Sequence, residues 1–437
     1  MQKAVSFKEA LAVWWRIGLL SFGGPAGQIA LMHHIIVDEK KWLDESRFLH
    51  ALNYCMLLPG PEAQQLATYI GWLLHGVRGG VTAGLLFILP GAVAILGLSW
   101  LYVLLGNFTL VEGLFFGLKA AVLAIVVQAM IRIAGRTLQG LLKPLLAVAG
   151  FFALFAFGLP FPLVVLGAGV IGYIAAHWFS DGAAAGSNGA AESSIHELAV
   201  DRSGTTRAAM VCLLLWLLTV GGLFVLLGSD NVFTQIAVFF SKLAVVTFGG
   251  AYAVLAYVAQ QGVEQFQWLQ PGEMLDGLGL AETTPGPLIL VTQFVGFLAA
   301  LRQSGLEPVM LYATLGALLT TWVTFLPCFL WIFAGAPYVE KLRDNRALSL
   351  ALAAITAAVV GVIANLALWF ALNLLFKENV RITSAGMDML LPVPSTIDIA
   401  MLSLSLLAFV LVFGFKMRIL GVLTLSAAAG MAVTLLR

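Results

Sequence analysis

Apolar residues run along this chain in blocks of about twenty, separated by short polar breaks. A block of that length is what an α-helix needs to cross a bilayer. The pattern predicts helices over 7–33, 46–76, 80–104, 112–132, 141–158 and 160–179. A second series follows over 208–228, 232–258, 272–302, 308–335, 347–375, 396–414 and 416–436. Between the series, Ser180 to Arg207 is small, polar and rich in Gly, Ala and Ser, and reads as a flexible tether. The blocks 46–76 and 272–302 are too long for one straight span, and each contains Pro-Gly-Pro. Proline and glycine interrupt a helical hydrogen-bond ladder, so broken or re-entrant helices are expected there.

The two series repeat one another. Phe22-Gly23-Gly24 recurs as Phe248-Gly249-Gly250, Trp42-Leu43 as Trp268-Leu269, and Pro59-Gly60-Pro61 as Pro285-Gly286-Pro287, all at one fixed spacing. Arg16 and Lys242 share that spacing. Later, Leu89-Pro90 recurs as Leu326-Pro327, Ala120-Ala121-Val122 as Ala357-Ala358-Val359, and Gln128 as Asn365, all at a second, slightly longer spacing. One insertion accounts for the change, and a shared register across short motifs marks an internal repeat. The block 208–228 has no partner in the first series, and one extra span inverts the second half relative to the first.

The expected fold is therefore an all-α polytopic membrane protein with two inverted-topology repeats of about six spans. Residues 1–180 form the first repeat, 181–207 a linker, 208–228 an extra linking helix and 229–437 the second repeat, giving about thirteen spans. With the N-terminus cytoplasmic, most Lys and Arg fall inside, as the positive-inside rule asks, and the C-terminus falls outside. Lys40, Lys41 and Arg47 are the exceptions, on the wrong side.

Composition excludes the soluble classes. Of 437 residues 61% are hydrophobic and 10% charged, where a soluble protein carries about 25% charged residues. The partner is the lipid bilayer, and a net charge of +1 gives no pull toward nucleic acid. Cys55, Cys212 and Cys328 lie far apart and read as buried free thiols. Zinc spacing, a P-loop and a loop acidic cluster of the Asp-x-x-x-Asp kind are all missing from the sequence, which speaks against a membrane enzyme. No cofactor and no metal site is expected.

Inverted repeats with broken helices are a transporter architecture. A helix that restarts inside the membrane offers free N–H groups and a positive dipole end to an anion. Pro59, Gly60 and Pro61, with Pro285, Gly286 and Pro287, are placed to start such half-helices, and Thr284 to cap the second. Phe22, Gly23 and Gly24, with Phe248, Gly249 and Gly250, allow close backbone approach, either to a ligand or for helix packing. Arg16 and Lys242 precede these glycines inside apolar segments. Two such cations suit a small dianion, or else both snorkel to an interface. Lys119 lies within a span, either as a binding cation or paired with Glu112. Glu62 and Glu282 are the proton-coupling candidates, and Glu62 alternatively complements a helix N-terminus. Gln64, Gln65, Thr292 and Gln293 offer polar contacts inside the half-helices, and Trp42 and Trp268 read as interface anchors.

The segments "SFGGPAGQIALMHHIIVDEKKWLDESRFLHALNYCMLLPGPEAQQ" and "VVTFGGAYAVLAYVAQQGVEQFQWLQPGEMLDGLGLAETTPGPLIL" resemble the chromate transporter family. The likeness extends over both halves, and Leu288 departs from the Pro-Gly-Pro-Glu element that Glu62 completes. It implies a long-chain, two-domain member exporting the chromate dianion across a bacterial inner membrane, energised by the proton-motive force and giving chromate resistance. Sulfate, of the same shape and charge, is expected to compete. A sulfate-type or other oxyanion carrier, a channel and a homodimer stay open at this point.

Overall fold

The computed structural model describes residues 5–106, 108–178, 202–248, 251–336, 346–384 and 387–436. It is helical apart from one antiparallel hairpin, β1 (Asn379–Ser384) with β2 (Met387–Pro392). Among the described residues, six helices are long and apolar enough to cross a membrane. Apolar side chains such as Leu104, Leu166, Leu218 and Val225 are exposed around the periphery, as a bilayer-facing surface requires. The expected flexible tether at 181–207 lies outside the described residues up to 201, and the next helix already begins at Arg202.

The first half opens with α1 (Phe7–Leu20), capped by Ser6, and α2 (Gly24–His33), which runs on through the π-helical turn His34–Glu39. Between them Gly23 and Gly24 have φ of 83° and 71°, a backbone open to glycine at little cost, and the chain folds back. The fold-back brings Glu39 to Arg16 (2.7 Å) and Lys40 to Glu9 (3.2 Å). The block expected as one span over 7–33 is thus a helical hairpin. Next come α3 (Glu45–Leu57), the Pro59-Gly60-Pro61 loop and α4 (Glu62–Leu105). His75 and Gly76 break α4 into a short arm over 62–74 and a long arm over 77–105. The arms pack antiparallel, since a side chain at Gly71 would meet Gly79 and one at Gly84 would meet Thr68. The His75 ring reaches back to the Val5 carbonyl (2.9 Å), so the short arm ends where α1 began.

Then follow α5 (Thr109–Thr137), α6 (Leu142–Phe155), α7 (Phe161–Trp178) and α8 (Arg202–Leu227). The second half re-enters with α9 (Val232–Val246), α10 (Ala251–Gln260) with its π-helical turn Gln261–Gln265, and α11 (Glu273–Thr283). The Pro285-Gly286-Pro287 loop and a 3-10 turn at Leu288–Leu290 lead into α12 (Val291–Gln303). Arg302 closes this hairpin on Glu273 (2.5 Å) and on the Trp268 carbonyl (2.7 Å). The chain ends with α13 (Val309–Gly335), α14 (Arg346–Leu375), the β-hairpin, α15 (Ile399–Phe409) and α16 (Ile419–Leu436).

Residues matched by the repeat carry the same local geometry. Lys41 and Gln267 both have positive φ, 52° and 54°. Trp42 N–H bonds the Ile36 carbonyl as Trp268 N–H bonds that of Gly262. Neither tryptophan is an interface anchor. Trp42 is buried, and Trp268 is fully buried and stacked on Phe266 with centroids 4.3 Å apart. The thiols are free, with Cys55 and Cys328 buried and Cys212 half-buried.

Candidate functional site

A helix end leaves carbonyls without partners. α1 and α9 end at Ser21 and Thr247, whose hydroxyls donate to the carbonyls four residues back, Ile17 and Leu243, both at 2.6 Å. The backbone carbonyl of Thr247 then accepts from Gly60 N–H, and that of Ser21 from Gly286 N–H, both at 2.8 Å. Each Pro-Gly-Pro loop therefore crosses the broken helix end of the opposite half. Gly60 and Gly286 are buried with φ of 125° and 94°, which other residues rarely adopt. Behind the loops stand the long helices. A side chain at Gly60 would reach Cys328 Sγ, and one at Gly91 would reach Pro285 and Leu290. Gly91 and Cys328 directly follow the repeat-matched Pro90 and Pro327, so the two crossings are built alike.

They differ in their polar contents. At the Gly286 loop, buried Gln28 donates to the Gly286 carbonyl at 2.6 Å. At the Gly60 loop a small, mostly apolar chamber remains, lined by Gly60, Pro61, Phe240, Ile289, Thr292 and Thr324, with free space for about one water molecule. The Thr292 hydroxyl donates to the Ile289 carbonyl at 2.7 Å. The short arm of α4 starts at its edge with no side chain capping its first turn. Thr284 ends α11, its hydroxyl donating to Ala281, and does not cap the helix after the second loop. Gln64 and Gln65 are buried and bond Thr68 and the Pro59 carbonyl, while Gln293 bonds the Ala92 carbonyl.

Of the charged candidates, Glu62 is half-buried in the first turn of that short arm. Glu282 is buried and accepts from the Tyr252 hydroxyl at 2.6 Å, with its second oxygen unpartnered. Lys119 does not pair with Glu112. It reaches across the halves to buried Asp276 at 3.3 Å, where the Tyr102 hydroxyl also donates at 3.0 Å. Arg16 and Lys242 do not join the crossings. Arg16 is half-exposed against Glu39, holding that carboxyl below its usual range by a hydrogen bond, and Lys242 is exposed. Phe22 and Phe248 are half-buried at the two breaks, and Gly249 and Gly250 lie outside the described residues. Gln28, Tyr252, Asp276 and Thr324 escaped the sequence reading. A carboxylate inside the apolar block 272–302, alongside Glu273 and Glu282, was the available signal for Asp276. No group of three or more metal-ligating side chains occurs among the described residues.

A family model described as chromate transporter matches residues 8–173 and 234–431. The chain belongs to the chromate transporter family. Its curated relatives include the chromate transport protein of Pseudomonas aeruginosa, 32% identical over 82% of this chain and 80% of the relative. The probable chromate transport protein of Synechococcus elongatus is 28% identical over 83% and 84%. The chromate transport protein of Cupriavidus metallidurans is 27% identical over 82% and 81%. No solved structure matches the chain. The family is one of transporters, and the apolar helices make this member a multi-pass membrane protein.

Proposed function

We propose that this protein is a secondary transporter that exports the chromate dianion from the bacterial cytoplasm, and that the two crossings form its central gate. The observation that carries the reading is the reciprocal pair of bonds, Gly60 to Thr247 and Gly286 to Ser21. They join two half-helix systems built so that one can rock against the other, the geometry by which inverted repeats alternate access. Membership of a transporter family supports the substrate.

The hairpins support an inverted topology with fewer crossings than thirteen. α1–α2, α3 with the short arm of α4, α9–α10 and α11–α12 enter and leave on one side. The long arm of α4, α5, α6, α7, α8, α13, α14, α15 and α16 cross. In this arrangement Lys40, Lys41 and Arg47 return to the N-terminal, cytoplasmic side, which removes the exceptions to the positive-inside rule. The termini lie on opposite sides. Impermeant thiol labelling of cysteines placed at Lys41 and Arg437 tests this, and labelling of both from one side would refute it.

Moving one charge through 100 mV is worth about 2.3 kcal/mol, so a dianion leaving an inside-negative cell gains about twice that. In proteoliposomes holding a potassium–valinomycin potential at equal pH, chromate should move toward the positive side. No flux under potential or under a pH gradient would end the transporter reading. Amide and hydroxyl donors read shape and charge, so excess sulfate should slow chromate flux.

A further inference from the structure

We infer that Thr324 is the hydroxyl donor of a single oxyanion-binding chamber on the Pro59-Gly60-Pro61 side, completed by the first-turn amides of α4. The inference rests on the transporter reading above and narrows it to one crossing. Thr314, Thr320 and Thr321, on the same helix, donate their hydroxyls to the carbonyls four residues back. Thr324 does not. It is 6% exposed, and its Oγ1 is buried without a hydrogen-bond partner. A buried hydroxyl left unpaired is costly and calls for an explanation. Thr324 lines the chamber beside Gly60, Pro61 and Ile289.

The second element is the short arm of α4. It begins at the chamber edge, has no side-chain cap, and runs from residue 62 to the break at His75. The N-terminus of a helix that long carries free N–H groups and about half a positive charge. A hydroxyl donor close to an uncapped helix start is a means by which a protein holds a tetrahedral oxyanion without a cation. That fits the positions of Arg16 and Lys242, which stand away from the crossing.

The repeat supplies an internal control. In its register Thr292 corresponds to Leu66, and Thr324 to Phe87. Both are fully buried, so apolar packing stands where the other crossing has hydroxyls. The Gly286 carbonyl there is occupied by Gln28. Two crossings of the same backbone design thus differ by one unpartnered hydroxyl, Thr324, and one oxyanion per chain follows. With free space for about one water, the chamber must widen to admit chromate, as rocking of the halves would allow.

The test is chromate transport by purified protein in proteoliposomes, with Thr324→Val, Thr324→Ser and Thr320→Val. Valine keeps the shape and removes the hydroxyl. A hydrogen bond to a charged ligand is worth enough that Thr324→Val should raise KM about tenfold or more. Thr324→Ser should stay within about threefold, and Thr320→Val, whose hydroxyl serves Gly316, should match the wild type. Thr324→Val with an unchanged KM would overturn the assignment. If that variant does not insert, Thr324→Ala decides in its place, with the same expected rise. Equilibrium dialysis should give one chromate per chain, and two would overturn the single chamber. Wild-type protein moving no oxyanion at all would instead refute the transporter reading itself.

Discussion

Gly91→Ala tests the crossing directly. Gly91 lies on the long arm of α4 where the Pro285-Gly286-Pro287 loop rests on it. An added methyl would fall far inside contact distance of the Pro285 carbonyl and 2.6 Å from Leu290 Cδ1. Ordinary carbon contacts need about 3.5 Å, so Leu290 must retreat by about 1 Å and the loop backbone by more. The loop has nowhere to go. Its Gly286 N–H is held by Ser21 and its Gly286 carbonyl by Gln28. Overpacking of this kind costs about 1–3 kcal/mol, and losing the two hydrogen bonds would add about 1 kcal/mol each. Gly97→Ala, on the same helix with nothing within 4 Å, is the control. There alanine should favour the helix by about 1 kcal/mol. Thermal unfolding in detergent, followed by tryptophan fluorescence, should give a lower Tm for Gly91→Ala and an equal or higher one for Gly97→Ala. Chromate flux in proteoliposomes should fall in the first variant only. A Gly91→Ala protein with the Tm and flux of the control would refute the rigid crossing.

The charged residues carry three further expectations. Lys119→Met strands buried Asp276 and should cost about 3 kcal/mol, most of it regained in the Lys119→Met/Asp276→Asn double variant. A double variant no more stable than the single one would mean that the ion pair is not the cause. Arg16→Ala removes a half-exposed pair with Glu39 and should change chromate KM by less than about threefold, whereas lost transport in inserted protein would return Arg16 to the substrate path. In the β-hairpin, Arg381 hydrogen-bonds Asp388 at 2.6 Å and holds its carboxyl below the ordinary 3.8. A depressed carboxylate stabilises above its unfolded value and ceases to as pH falls through the folded one, so hairpin amide protection should be level near neutrality and drop only below about pH 4. Asp388→Asn should abolish that acid step, and an unchanged step would assign it elsewhere.

Much was legible in the chain because membrane helices obey a simple rule. Apolar blocks must pair every backbone group internally, so where helical segments lie along the chain could be read from hydropathy, though not how many cross. The breaks at Gly23-Gly24, Pro59-Gly60-Pro61 and Pro285-Gly286-Pro287 were legible too, since glycine and proline act locally. Whether a broken block passes on or turns back was not, because a fold-back is set by partners distant in sequence. Glu39 against Arg16 and Arg302 against Glu273 are such partners. The same limit explains the cations. Position within an apolar block marked Arg16, Lys242 and Lys119 alike, yet only Lys119 meets a buried charge.

The sequence by itself determined the class, the repeated register and the family resemblance, all of which rest on local pattern and composition. Only the tertiary structure decided which loop crosses which helix end, and that Gln28 occupies one crossing while Thr292 and Thr324 line the other. The physical reason is that a hydroxyl, an amide and a carbonyl become a site only through mutual placement. That placement is fixed by packing between two halves that lie far apart along the chain, which no local pattern encodes.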